Sequence, residues 1–173
     1  MGKVPVPDNA REQTLARMMQ LYSGLLVKLC SALLKDAHQA QDIVQETFVK
    51  AWQKMGDLRG GEKSEKAWLC RIAVNLCRDY QRTRWMRLVH PTAEPDQPPL
   101  WYIPRDEAAA DVMEALGQLK PRYREVLMLH YLENLPAEEM GQILGLSASA
   151  VFRRLNKART QLRQLLKGEE NDG

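Results

Sequence analysis

Residues 119–166 read LKPRYREVLMLHYLENLPAEEMGQILGLSASAVFRRLNKARTQLRQLL, and the breaks in this run set the architecture. Three helices are expected, separated by two short interruptions. Pro121 suits a first helical position, where a missing N–H costs nothing. Val126, Leu127, Tyr131 and Leu132 then recur at helical spacing. Asn134-Leu135-Pro136 interrupts, and Pro136 fits a new first turn. A short helix follows, with Ala137, Met140, Ile143 and Leu144 on one side. Gly145 is the natural residue after its end, because it tolerates a positive φ. Ser147 is placed to cap a third helix. There Val151, Leu155, Ala158, Leu162 and Leu165 form one apolar stripe.

A short helix, a glycine turn and a longer helix make a helix-turn-helix. The longer helix carries Arg153, Arg154, Lys157, Arg159, Arg163 and Lys167, with no acid before Glu169. Such a helix fits a major groove with its N-terminal residues at base edges, and its cations neutralise phosphates. An exposed basic face on an ordinary helical bundle is the competing interpretation. Turn chemistry and charge agree on DNA, which favours the first.

The remaining sequence is expected to be all-α as well. The chain has 173 residues, few aromatics and little strand-like alternation. Its formal net charge is only +3, too little to make the whole molecule a strong nonspecific DNA binder, and the basic charge is local. Cys30, Cys70 and Cys77 lack zinc-like spacing and read as reduced core thiols. No metal or cofactor is expected. No apolar run approaches the length of a membrane span, and the N-terminus has no signal-peptide core. Membrane insertion is therefore not expected, and a cytoplasmic location is.

Residues 1–9 read as a loose tail. Helix one is expected over about 11–35, with Leu15, Met18, Met19, Tyr22, Leu25, Leu26, Leu29, Leu33 and Leu34 as a broad face for two neighbours. Asp36 is placed to cap helix two, which runs to about Met55. Its stripe is Ile43, Val44, Phe48, Ala51, Trp52 and Met55. Residues 56–63 are a loop by composition, without the ending of a phosphate-binding loop. Ser64 is placed to cap helix three, which reaches Arg84 or beyond and gathers Arg71, Asn75, Arg78, Asp79 and Arg82 on a polar side. Residues 88–105 form a Pro-rich linker in which Trp101, Tyr102 and Ile103 are candidates to dock on self or on a partner. Helix returns over 106–118. Two small helical domains follow, 10–87 and 106–168, joined by that linker, the second a helix-turn-helix.

Two separated motifs carry a family resemblance. One is DAHQAQDIVQETFVKAW, residues 36–52, followed by WLCRIAVNLCRDYQR, residues 68–82. The other is the 119–163 part of the run quoted first. Together they resemble bacterial RNA polymerase sigma factors of the extracytoplasmic-function type, in the sigma-70 family. The resemblance implies a non-enzymatic initiation factor that binds core RNA polymerase, through the β′ clamp helices and the β subunit, and directs it to promoters. It implies promoter DNA and an anti-sigma factor as further partners.

The resemblance also assigns roles. Asp42, Gln45, Glu46, Val49 and Trp52 match the surface for core polymerase. Phe48 stays in the core. Arg59, Gly60, Gly61, Glu62, Lys63 and Ser64 match the loop that captures a flipped base of the −10 element, a step costing a few kcal/mol. Arg71, Asn75, Arg78, Asp79 and Arg82 match the −10 reader, whose arginines hold the phosphates of a separated strand. Trp68 reads as core rather than as a stacking platform. Phe152, Arg153, Asn156 and Lys157 match the −35 reader, with Ser147 and Ser149 at its start. Arginine donates to guanine there and asparagine pairs with adenine. Arg124, with Arg154 and Arg159, matches phosphate-facing positions. Ala150 stands where the family often has Thr, and Phe152 where a cation is common, which bears on promoter sequence rather than on binding mode.

The linker offers a geometric check. About twenty residues span at most roughly 70 Å, and one DNA turn is about 34 Å. The tether permits elements up to about two turns apart but does not enforce their spacing, so a scaffold must. A freestanding regulator that binds duplex DNA as a dimer is the alternative. Catalysis is not expected, because His38, His90 and His130 have no acid–base or nucleophile arrangement around them.

Overall fold

The computed structural model describes residues 7–88 and 107–171, all helices and short turns, with no strand among them. The expected linker over 88–105, with Trp101, Tyr102 and Ile103, lies outside the described residues apart from Leu88.

Helix α1 spans Asp8–Leu34 and α2 spans Ala37–Lys54. The reversal between them needs only Lys35 and Asp36. Lys35 takes the left-handed conformation at φ 55° and its N–H donates to Ser31 O. Asp36 then caps α2, accepting from the Gln39 N–H at 3.0 Å. A single 3₁₀ turn, Met55–Asp57, leads out of α2. Helix α3 spans Glu62–Leu88, starting two residues before the expected Ser64 cap. Gly60 and Gly61, at φ 89° and 64°, make the turn that allows this early start.

The second group is α4 (Glu107–Gln118), α5 (Pro121–Glu133), α6 (Ala137–Leu144) and α7 (Ala148–Asn171). Pro121 opens α5 as expected. Pro136 is the cap residue of α6 rather than part of its first turn. Gly145 ends α6 at φ 71°. Ser147 Oγ accepts from the Ala150 N–H at 3.2 Å at the start of α7. The turn is tight beyond Gly145. The Leu146 N–H donates to Gly141 O at 2.9 Å, and a Cβ on Gly141 would collide with the Leu146 carbonyl.

The two groups pack on each other. Helix α1 lies against α2, α3 and α5, and α3 lies against α6, so one continuous core runs through both. Two neighbours were expected for α1 and three are found. Met19 is excluded from its buried face, at 44% exposure. Helix α5, wedged between α1 and α7, buries every residue from Tyr123 to Met128 and Leu129 besides. Its final turn leaves the core: Tyr131 and Leu132, expected on the apolar side, are 60% and 44% exposed. Cys30, Cys70 and Cys77 are buried and free. A hydrogen bond with Cys77, together with burial, pushes the Cys30 thiol well above its ordinary pKa.

One buried ion pair fixes α3 against α1. Glu65 is 2% exposed, and Arg17 donates to both its oxygens at 3.0 and 2.5 Å. Glu65 also sits in the first turn of α3, where the helix dipole favours an anion. Arg17 itself is partly exposed. The two halves are therefore unequal. Arg17→Ala strands a buried carboxylate and is expected to cost about 2–3 kcal/mol, while Glu65→Ala leaves an arginine that water reaches and costs less. Urea unfolding of both variants measures the difference; equal losses would contradict the asymmetry.

Candidate nucleic-acid and polymerase interfaces

The polar face of α7 is set by its buried stripe. Val151, Leu155 and Ala158 are 3% exposed or less, which turns Phe152, Arg153, Asn156 and Lys157 outward. Phe152 is 58% exposed, a large apolar ring held in water among cations. Ser147 and Ser149 lie beside that face with their hydroxyls 3.2 Å apart. Arg154 is half-buried. Arg159 is held back against α5: its Nε donates to Tyr131 Oη at 3.1 Å, and a terminal nitrogen lies 3.0 Å from His130 Nε2. Lys157 is drawn toward Tyr123. Burial alone would raise that phenol's pKa, but hydrogen bonds from Arg122 and Lys157 bring it below its ordinary value.

Arg124 requires a correction. It is 8% exposed, and its guanidinium donates to four carbonyls: Leu116, Gly117 and Leu119 at 2.9 Å and Leu33 at 3.0 Å. Leu33 and Leu116 belong to the last turns of α1 and α4, where helix carbonyls lack intrahelical partners and the dipole is negative. Arg124 caps two helices at once; four of its five N–H donors are taken by carbonyls, and the buried guanidinium does not face a phosphate. Burial lowers its pKa, with Glu125 opposing.

On α3, residues 71, 75, 78 and 82 recur at helical spacing along one face. Arg71, Asn75, Asp79 and Arg82 are exposed, and Arg82 is tied to Asp79 at 2.6 Å. Arg78 is half-buried and bound elsewhere. Its Nε and a terminal nitrogen donate to the two oxygens of Glu125 at 2.9 and 2.8 Å. That fork raises the Arg78 pKa against the effect of burial. Glu125 is 4% exposed and belongs to α5.

The loop ahead of α3 presents Arg59, Gly60, Gly61, Glu62 and Lys63 to solvent, with Ser64 half-buried. With Asp57, Leu58, Trp68 and Arg71 it walls a cleft of about 190 Å³. The rest of the lining includes Glu139 and Gln142 of α6. Trp68, expected in the core, is half-buried and shares its surface between the core and this cleft. Glu125, Glu139 and Gln142 were not singled out in the sequence. Nothing local marks them, because their significance comes from the packing of α5 and α6 on α3.

Helix α2 turns Asp42, Gln45, Glu46 and Val49 outward, while Ile43, Val44, Thr47 and Phe48 are buried. Val49 is 54% exposed between the acids and Trp52. Trp52 is half-covered. Arg11 stacks over its ring at 4.7 Å and donates to its carbonyl at 2.8 Å. Arg11 is thus a further member of this surface that the sequence did not suggest.

Two family models match these two helical groups: sigma-70 region 2 over residues 18–87, and sigma-70 region 4 over residues 109–162. The chain belongs to the sigma-70 family. Its sigma region 2 holds the α2 face, the cleft loop and the α3 face. Sigma region 4 holds the helix-turn-helix. Curated relatives agree. CnrH, an RNA polymerase sigma factor of Cupriavidus metallidurans, is 33% identical over 72% of each chain. The probable RNA polymerase sigma factor RfaY of Xanthomonas campestris is 29% identical over 90% of this chain, which spans 41% of that longer protein. Among solved structures, the sigma factor RpoE of Bartonella quintana, in complex with the anti-sigma factor NepR, superposes with a TM-score of 0.75 at 26% identity, covering 90% of this chain and 98% of that one. Matches to relatives named as extracytoplasmic-function factors place this chain in that type. Sigma factors are initiation factors rather than enzymes. Among the described residues no helix is long and apolar enough to cross a membrane, and no cluster of His, Cys, Asp and Glu could hold a metal.

Proposed function

We propose that this chain is the promoter-specificity subunit of RNA polymerase for its own set of promoters, acting in the cytoplasm. The observation that carries the reading is the pairing, on one chain, of two cationic helix faces in different sigma regions with an acidic face on α2 that neither of them uses. The Asp42–Glu46 face, with Gln45, Val49 and the exposed edge of Trp52, docks on the β′ clamp helices of core polymerase. The loop 59–64 and the α3 face take the separated strand of the −10 element. Phe152, Arg153, Asn156 and Lys157 read the −35 element, with Ser147 and Ser149 at the phosphates beside the start of α7. Helix α7 supplies groove contacts and α3 supplies strand contacts; the polymerase fixes the distance between them.

An anti-sigma factor is the expected regulator, in keeping with the NepR-bound relative. Such a partner would cover the same surfaces that meet DNA and polymerase.

The test is run-off transcription with purified core polymerase on genomic promoter fragments. Specific transcripts should require both the chain and core. A shift of duplex DNA by the chain alone, with no core-dependent transcript, would instead favour the freestanding regulator. Within the same assay Arg153→Ala should weaken discrimination at one −35 position by about 1–3 kcal/mol and leave core binding intact. Equal loss of core binding would remove Arg153 from the reader.

A further inference from the structure

We infer that Phe152 reads the 5-methyl group of one thymine in the −35 element, so that one step of this chain's promoter choice is made by apolar contact rather than by a hydrogen bond. The inference rests on the assignment of α7 to duplex DNA and goes past it to the chemistry of a single base.

Position is the first support. Ser147 caps α7, which starts at Ala148, so residue 152 stands in the second turn. N-terminal residues of a groove-bound helix are the ones that reach base edges. Val151 and Leu155, 1% and 3% exposed, fix the rotation of the helix and leave the Phe152 ring 58% exposed. Ser149, Phe152 and Asn156 are all exposed and recur at spacings of three and four, so they form one row along the outward face. Arg153 and Lys157 form the row beside it. Cα–Cβ bonds in a helix tilt toward its N-terminus, which leans the ring toward the end that enters the groove.

Chemistry is the second. Every neighbour in the two rows carries a hydrogen-bonding group, and the ring carries none. It therefore holds neither a phosphate nor a purine N7 or O6, nor a base amino group. The thymine methyl is the one apolar group that the major-groove edges of the four base pairs present. Against that methyl both surfaces leave water; against any other edge the ring would strip water from a polar atom and give nothing back. Selection thus has an attractive and a repulsive part. Consecutive Cα atoms lie about 3.8 Å apart and stacked bases about 3.4 Å, so the thymine shares or adjoins the base pair that Arg153 takes. A cation is common at this position in the family, and a cation would be indifferent to the methyl.

The experiment begins with selection of −35 duplexes from a randomised pool, once by holoenzyme assembled from the full chain and core polymerase and once by the chain alone. In the best duplex each thymine of the element is replaced singly by deoxyuridine. That change removes the methyl and keeps every hydrogen-bonding atom. At one position binding should weaken about fourfold, the value of one buried carbon group. A cytosine placed there should bind worse than 5-methylcytosine by a similar factor. With Phe152→Ala or Phe152→Arg, thymine and uracil should bind alike at that position, with helicity and affinity for core unchanged because the ring is exposed.

A preferred duplex in which no thymine responds to loss of its methyl overturns the inference, and that arm needs only the parent chain. A methyl effect that survives Phe152→Ala assigns it to another side chain and overturns it too. So does a Phe152→Ala variant that loses affinity for core with its uracil response intact, since the ring would then dock on protein. Selection by the chain alone but never with core removes the sigma reading and leaves the methyl test in force. Selection by neither takes α7 off DNA, and the methyl contact goes with it.

Discussion

Arg124→Ala should lower the unfolding free energy of the chain by about 2–4 kcal/mol, among the largest losses any single side chain here would cause. The argument runs from the acceptors. Four carbonyls share one guanidinium, and three of them, Leu116, Gly117 and Leu119, belong to the end of α4 and the turn after it. Leu116 O also accepts the Leu119 N–H at 3.2 Å, and beyond that these oxygens lie at and past the end of the α4 ladder, where intrahelical donors run out. Hydrogen bonds to a charged donor contribute about 1.5–3 kcal/mol each in isolation, but one guanidinium satisfying four oxygens is far from additive. Water entering the vacated space would recover part of the loss, which sets the lower bound. Arg124→Lys keeps the charge and loses the planar fork, so about half the destabilisation should remain. Chemical denaturation followed by circular dichroism reads both values. The result separates two roles for this residue. An arginine that only touched phosphate would shift stability by less than about 0.5 kcal/mol when replaced. A small shift would restore the phosphate assignment that the geometry removes.

The features legible in the sequence were those with local causes. Asp36 caps α2 because its carboxylate reaches a backbone N–H three residues on, and Pro121 opens α5 because its fixed φ suits a first turn. Gly145 ends α6 because a left-handed residue is needed there. The acidic face of α2 and the basic face of α7 followed from spacing alone. Arg124 shows where spacing stops. By periodicity it is one more arginine near a basic helix, and only the arrival of two helix C-termini around it makes it a cap. Glu65, Glu125 and Trp68 share that character, since their partners lie on other helices. Tyr131 and Leu132 failed in the opposite direction. Their spacing continues the apolar pattern of α5, but the helix runs past its neighbours before its last turn. The two-domain reading divided the chain into two sequence segments and was silent about contact between them. No pattern within either segment encodes the apolar surface they share.

Asp42→Lys combined with Glu46→Lys should abolish promoter-directed transcription at limiting concentrations of the chain. The two acids stand one helical turn apart on an exposed face, and both point away from the core. Little in the fold depends on them. Glu46 has Lys50 at 3.9 Å, a half-exposed pair on one helix, and such pairs contribute about 0–1 kcal/mol. Unfolding should therefore be nearly unchanged. Binding is a different matter. A surface that presents two carboxylates around exposed Val49 selects a basic partner, and reversal places like charges where opposite ones meet. That costs several kcal/mol, so affinity for core should fall about thirtyfold or more. The defect should also be of a particular kind. If α2 serves only to dock, a large excess of the variant should recover much of the transcription by mass action. If Asp42 and Glu46 also take part in opening the promoter, output should stay low even when the complex is saturated. A variant that binds core as tightly as the parent would remove this face from the interface and leave the helix-turn-helix as the chain's main point of contact with its target.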